Sequence, residues 1–294
     1  MPAPFKVDLK GRLAEASSTW RRFKRNKGAI VGLAIFLGVV FCAIFADFIA
    51  PNDPYTHDPD NALSPPSWKY PLGTDEYGRC IFSRIIYGSR ISLLVGVVSV
   101  GIAAVVGVVI GLIAGYCGGI VDSVIMRIMD ILLAFPGILL ALLIVSVLGR
   151  NLVNCMVAVG IWNIPVYARL VRGMVLSVKE TEYVLAAKAL GLNDLRILFK
   201  HILPNCMAPI IVLSTLLMPG AILAAAGLSF LGLGAQPPTP EWGRMLSEGR
   251  EFLATAWWIA TFPGIAIFVT VMGLNLLGDG LRDALDPRLK VGRV

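Results

Sequence analysis

Long apolar runs separated by short polar connections dominate this chain. Six of them reach or nearly reach the roughly 20 residues that a helix needs to cross about 30 Å of hydrocarbon. They cover residues 28–46, 91–121, 131–149, 151–168, 202–240 and 252–278, and the fifth is long enough to hold a span plus an apolar external loop. None has a charge at its centre, and none shows the strict alternation of a membrane β-strand, so the backbone must satisfy itself within helices. The pattern predicts an all-α membrane protein with six transmembrane helices. The first run is expected to be a retained anchor and not a signal peptide. It is longer than a typical h-region, and Asp47 and Phe48 follow it in place of a small-residue cleavage site.

Ahead of the first run, "STWRRFKRNKG" reads either as a short interfacial helix with Trp20 and Phe23 on its apolar side or as a simple positive-inside anchor. Residues 51–90 begin as a loop rich in Pro, Asp and Asn. Thr74 is then placed to cap a short helix whose apolar positions recur from Ile81, lying along the outer face. The second run carries small residues at every fourth position, Ser99, Ala103, Gly107, Gly111, Gly115 and Gly119, a stripe suited to close helix packing. Arg127 and Asp130, three residues apart, suit an interfacial ion pair. Pro136, Pro165, Pro219 and Pro263 fall in or near spans and each removes a helix hydrogen bond. "LGLGAQPPTPEWGRML" is too rich in proline for a helix interior and reads as an outer loop.

Charge sets the orientation. Of 294 residues only 15% are charged and 56% are hydrophobic, with mean hydropathy +0.76, values of a membrane protein. Lysines and arginines concentrate before the first span, in the segment holding Arg169, Arg172, Lys179, Lys188, Arg196 and Lys200, and at the carboxyl end. All three regions are therefore expected on the cytoplasmic side, with 51–90 outside. The net charge of +7 follows from this topology and from anionic lipid at the inner surface, without nucleic acid. The expected layout is a cytoplasmic tail with an interfacial helix (1–28), a first anchor (29–50), an external loop with a short helix (51–90), a core transmembrane domain (91–280) and a cytoplasmic tail (281–294). Five scattered cysteines and two histidines offer no disulfide framework, metal site or catalytic cluster.

One connection is unlike the rest. In "YVLAAKALGLNDLRILFKHILPN", Tyr183, Ala187 and Leu190 share one helical face, Gly191 interrupts, and Asn193 or Asp194 caps a second helix. That second helix has Leu195, Leu198, Phe199 and Ile202 at i, i+3, i+4, i+7, with Arg196 and Lys200 opposite, and Pro204 is expected to end it. Periodicity alone leaves open a plain amphipathic connection lying on lipid headgroups.

The "LAAKALG" and "FKHILP" elements match in spacing the cytoplasmic EAA loop in permease subunits of ATP-binding-cassette importers. Ala186, Ala187, Gly191, Leu203 and Pro204 stand at the matching positions, and Leu185 replaces the family's first-position glutamate, with Glu180 and Glu182 one turn away. "LGTDEYGR", "SRIIYGSRISLLVG", "IMRIMDILLAFP", "LSFLGLGAQPPTPEWG" and "NLLGDGLRDALDPRLK" extend the likeness along nearly the whole chain. Together they resemble the second, C-type permease of dipeptide, oligopeptide, glutathione and nickel importers.

The resemblance implies a type I importer permease whose loop 172–204 forms coupling helices set in a cleft of a nucleotide-binding subunit. Glu182, Leu185, Ala186, Ala187, Gly191, Phe199, Leu203 and Pro204 are the coupling residues on that reading. Trp162, Asn163 and Tyr167, polar or aromatic positions near Pro165, are candidate pathway residues, though helix packing and interfacial anchoring explain them at least as well. It further implies two ATPase subunits that bind ATP and magnesium, a homologous second permease and an extracytoplasmic binding protein, with no cofactor in this chain. The cargo would be a peptide, glutathione included, or else nickel or a nickel chelate. The chain has no G-x-x-x-x-G-K-[ST] phosphate loop and so is not expected to hydrolyse ATP. A self-sufficient channel or ion-coupled carrier would place ionisable groups near the membrane midplane. A membrane enzyme would need partners that Ser229 and Asp279 do not show.

Overall fold

A computed structural model describes residues 20–285. Residues 20–25 are helical, and eleven helices follow: α1 (Lys27–Ile44), α2 (Ala46–Ile49), α3 (Ile81–Cys117), α4 (Gly119–Ala134), α5 (Gly137–Leu148), α6 (Leu152–Val178), α7 (Glu182–Ala189), α8 (Asp194–Ile197), α9 (Leu203–Phe230), α10 (Trp242–Gly249) and α11 (Trp258–Leu285). Among the described residues five helical segments are long and apolar enough to span a bilayer, and α4 with α5 makes a sixth if the pair counts as one broken span.

That break corrects the third predicted run. Phe135 is extended, as a residue before proline prefers, and α4 and α5 meet at 93°. At 12 residues α5 is about 18 Å long, too short to cross alone. Trp162 of α6 fills the angle. A Cβ on Gly137 would collide with its ring, so the indole packs directly on glycine backbone.

The short external helix expected from Ile81 is not separate. Its apolar positions run without interruption into the second span, giving one 37-residue helix that begins directly after Cys80. Thr74 instead closes the loop below, its hydroxyl accepting from the Ser64 N–H at 2.8 Å and donating to the Asn61 carbonyl.

Helix α3 packs along α6 through the small-residue stripe. Added Cβ atoms on Gly107, Gly111 and Gly115 would come within 2.5–2.7 Å of Tyr167 Cβ, the Ala168 carbonyl and Val175 Cβ, so the two backbones approach as only small residues allow. Gly119 departs from the stripe. It lies past the end of α3 with φ +53° and opens α4. Helix α6 outruns its predicted end because Arg169 and Arg172 reach across to Asp130 and Asp122 of α4. Asp130 thus pairs with Arg169 and not with Arg127.

The anchor α1 lies on α11, where Gly32 meets the backbone of Gly273 and Leu277. Ahead of it Trp20 stacks on Phe23 with centroids 5.6 Å apart, and Phe23 is buried with Ala29, Leu277 and Ala284. The interfacial helix therefore starts the anchor's own packing. Helix α11 continues through Leu285, so 281–285 are helix and not tail, while 1–19 and 286–294 lie outside the described residues.

The stretch read as an outer loop contains α10, with Trp242 and Met245 buried. The indole donates to the Ile85 carbonyl at 3.0 Å. Glu241 accepts from Gly243 and Arg244 N–H groups at 3.0 and 2.9 Å, and burial pushes its carboxyl upward against those bonds. Pro237, Pro238 and Pro240 precede the helix without entering it, which is how so proline-rich a segment can still contain one.

Candidate functional site

The segment after α6, expected on the cytoplasmic side, is built from defined stops and starts. Lys179 ends α6 and its ammonium donates to the Gly115 carbonyl at the end of α3. Thr181 precedes α7, and Glu182 adds an acidic residue to its first turn. Helix α7 closes with the N–H groups of Gly191 and Leu192 bonded back to the carbonyls of Lys188 and Ala187. This reciprocal pair needs a left-handed residue, and Gly191 has φ +74°. Asn193 then caps α8, accepting from the Leu195 N–H at 2.9 Å. Tyr116 of α3 donates to Asp194, tying this cap to the bundle.

Pro204 does not end the second helix. Leu198–Ile202 form a π-turn in which the Leu203 N–H bonds back to the Leu198 carbonyl, and α9 starts at once. The wider turn accommodates the missing proline N–H, and the Asn205 side-chain amide covers the His201 carbonyl at 2.6 Å. Asp194 to Phe230 is consequently one helical rod of 37 residues.

The segment has two apolar faces, where the periodicity showed one. Val184, Ala187, Ile197 and Ile202 are buried and continuous with the main core, in contact with the layer that includes Val171 and Val175 of α6. The other face is open: Leu185 is 48% exposed, Leu190 80%, Leu195 63% and Phe199 59%. The expected grouping of Tyr183, Ala187 and Leu190 is thus divided, with Ala187 inside and the other two outside. Likewise Leu195 and Phe199 point away from Ile202, whose inner partner is Ile197. Ala186, Gly191 and Pro204 are also exposed, and Leu203 is half-buried.

The three expected pathway residues sit together on α6. Tyr167 is buried and bonds the Ser214 hydroxyl at 2.8 Å, Asn163 is buried and donates to the Val159 carbonyl at 2.9 Å, and Trp162 is half-buried against the α4–α5 break.

A second constellation, at the outer end, escaped the sequence reading. Arg79 Nε lies 2.7 Å from Asp75 and Arg84 Nε 3.6 Å from it, while both guanidinium Nη2 atoms approach Glu248 of α10 at 3.6 and 3.5 Å. Arg244 completes the group, 2.9 Å from Glu248. The i, i+4 spacings of Asp75 with Arg79 and of Arg244 with Glu248 were visible signals, but the link between them is purely tertiary.

Comparison with known proteins now bears on this geometry. Residues 107–291 match the family described as binding-protein-dependent transport system inner membrane component, and 16–66 match the N-terminal TM domain of oligopeptide transport permease C. The chain belongs to this permease family. It is 49% identical over 277 residues to the di/tripeptide transport system permease protein DppC of Pseudomonas aeruginosa, covering 92% of this chain and 91% of that one. It is 51% identical over 279 residues to the dipeptide transport system permease protein DppC of Alkalihalophilus pseudofirmus, covering 94% and 92%. Over 272 residues it is 50% identical to the glutathione transport system permease protein GsiD of Escherichia coli, covering 92% and 90%. Among solved structures, an inward-facing MetNI methionine ABC transporter chain aligns with a TM-score of 0.55 at 18% identity, covering 70% of this chain and 98% of that one. This likeness shows the shared permease fold. The family membership makes the chain a transport subunit without ATPase chemistry of its own.

Proposed function

We propose that this chain is the C-type permease of an ATP-driven importer for peptides, with glutathione inside that class. The observation that carries the coupling role is the two-faced segment: one side is built into the core, and the other presents Leu185, Leu190, Leu195 and Phe199 exposed among the charged Glu182, Lys188, Arg196 and Lys200. An amphipathic helix of this kind sits in a groove and passes rigid-body movement to whatever its inner side is packed on. The groove belongs to an ATP-binding-cassette subunit, which supplies ATP and magnesium. Two such subunits serve a pair of homologous permeases. Outside, loops 51–90 and 232–251 meet the binding protein that delivers the cargo. Trp162, Asn163 and Tyr167 belong to the pathway wall, Trp162 at its surface and the other two behind it. The peptide assignment is supported by relatives near 50% identity that are named for di- and tripeptides or for glutathione.

Removing the whole segment would also remove the buried Ile197 and Ile202. The sharper test replaces only the open face. Leu195→Glu combined with Phe199→Glu should leave membrane insertion and pairing with the second permease intact while abolishing ATPase co-purification and uptake. Retention of both activities would overturn the coupling role.

A further inference from the structure

At the outer end a cavity of about 400 Å³ opens between loop 73–80 and α10 with the turn after it, lined by Glu76, Tyr77, Arg244, Glu248, Arg250 and Glu251 among others. Glu248 joins this lining to the buried group of Arg79, Arg84 and Asp75 behind it. There the carboxylates are well served: Glu248 faces three guanidinium groups and Asp75 faces two.

Glu76 differs from them. Its Oε2 is buried and has no hydrogen-bond partner among the described residues. Burial above all, and then the neighbouring Asp75 and Glu248 charges, push its carboxyl up from the ordinary value, with Arg79 opposing. Among the described residues no cation lies within ion-pair distance of Glu76, although the Nη2 atoms of Arg79 and Arg84 in the buried group beside it also lack hydrogen-bond partners. The same wall offers no cage for a metal, since no group of three or more His, Cys, Asp or Glu suited to one occurs among the described residues. What fits is a compact group with several N–H donors and one positive charge, that is, a primary ammonium.

We propose that this cavity receives the free α-ammonium of the peptide, with Glu76 as its principal acceptor. The inference rests on the peptide reading above and adds a recognition site within the permease itself. Arg250, on the same wall and well exposed, is placed to meet the carboxylate of a short zwitterionic peptide. An ethanolamine lipid headgroup carries the same ammonium, so the test must separate the two sources.

The experiment uses the intact assembly in nanodiscs free of ethanolamine lipid, irradiated with alanyl-benzoylphenylalanine or with its N-acetyl form, followed by peptide mapping. The free amine should label within 73–80 or 242–252. Either N-acetylation or Glu76→Gln should reduce that label about tenfold, the cost of one charge-assisted hydrogen bond. Glu76→Asp, which keeps the charge, should retain part of it. The N-acetyl probe on the unaltered protein decides the matter even if a Glu76 variant fails to assemble. Equal labelling by both probes, label confined to other segments, or label abolished by adding ethanolamine lipid would overturn the site. Uptake of dialanine by the same assembly is measured in parallel: import with misplaced label refutes only the site, whereas absence of any peptide import refutes the peptide reading itself.

Discussion

The two ends of this protein are held together by different physics. At one end the segment 179–204, proposed above as the coupling element, is fastened mainly by apolar contact, with Val184, Ala187, Ile197 and Ile202 merging into the core that α3, α6 and α9 share. The Tyr116–Asp194 and Lys179–Gly115 hydrogen bonds fasten it secondarily. On the outer side α10 and the loop before α3 are fastened by charge, through buried arginines and carboxylates. Apolar packing is non-directional and nearly indifferent to pH and salt, so the inner end moves with its helices as one body. Ion pairs are directional and fail when one partner is lost or neutralised, so the outer end is poised to respond to charge.

The largest effect should come from Arg84→Met, which leaves Asp75 and Glu248 with one fewer buried countercharge and should destabilise the outer layer by about 3–5 kcal/mol. Thermal unfolding of the detergent-purified protein followed by tryptophan fluorescence measures this, since Trp242 and Trp258 lie in that layer. An unchanged midpoint would mean that charge does not hold the outer end. Ile197→Ala should cost about 2–4 kcal/mol by opening a void under α8. Here the signature is functional: ATPase subunits still bind the open face, but ATP turnover drives less uptake. Proportional loss of binding and uptake would contradict the separation of the two faces.

The smallest effect concerns Asp58. Hydrogen bonds from Tyr70 first, then Asn61, and the nearby Lys69 hold its carboxyl below the usual range. A lowered folded value means the contribution is complete above about pH 4, the unfolded value, and fades as pH falls through the folded one. Chymotrypsin nicking at the fully exposed Trp68 should therefore follow acid pulses below that range and not those above it.

The apolar runs located the spans because a bilayer tolerates little else, and the i+4 stripe of small residues correctly named the face on which α3 meets α6. Helix ends were less legible. Arg169 and Arg172 looked like terminators because a single sequence does not reveal that Asp130 and Asp122 wait on another helix. Pro204 looked like a stop because the π-turn that absorbs it is a local adjustment with no signature of its own. In the segment proposed to couple, the capping residues were readable, Gly191 and Asn193 above all, as caps depend on neighbours in sequence. The sorting of its apolar residues between core and surface was not, because a short helix that is greasy on two sides has no single periodicity to detect. The outer constellation stayed hidden for the plainest reason: Arg84 and Glu248 are 164 positions apart.

The continuous helical path from Asp194 to Phe230, which carries the π-turn and Pro209 and Pro219 within it, has a mechanical corollary if it swings as one piece. At 1.5 Å per residue it is about 55 Å long, so each degree of tilt imposed at one tip displaces the other by about 1 Å. The Ser247 hydroxyl hangs on the Phe230 carbonyl at 2.7 Å, so α10 rides on the far tip. A swing of only a few degrees, started in the cytoplasm, is enough to pull that small outer helix by more than the length of a hydrogen bond.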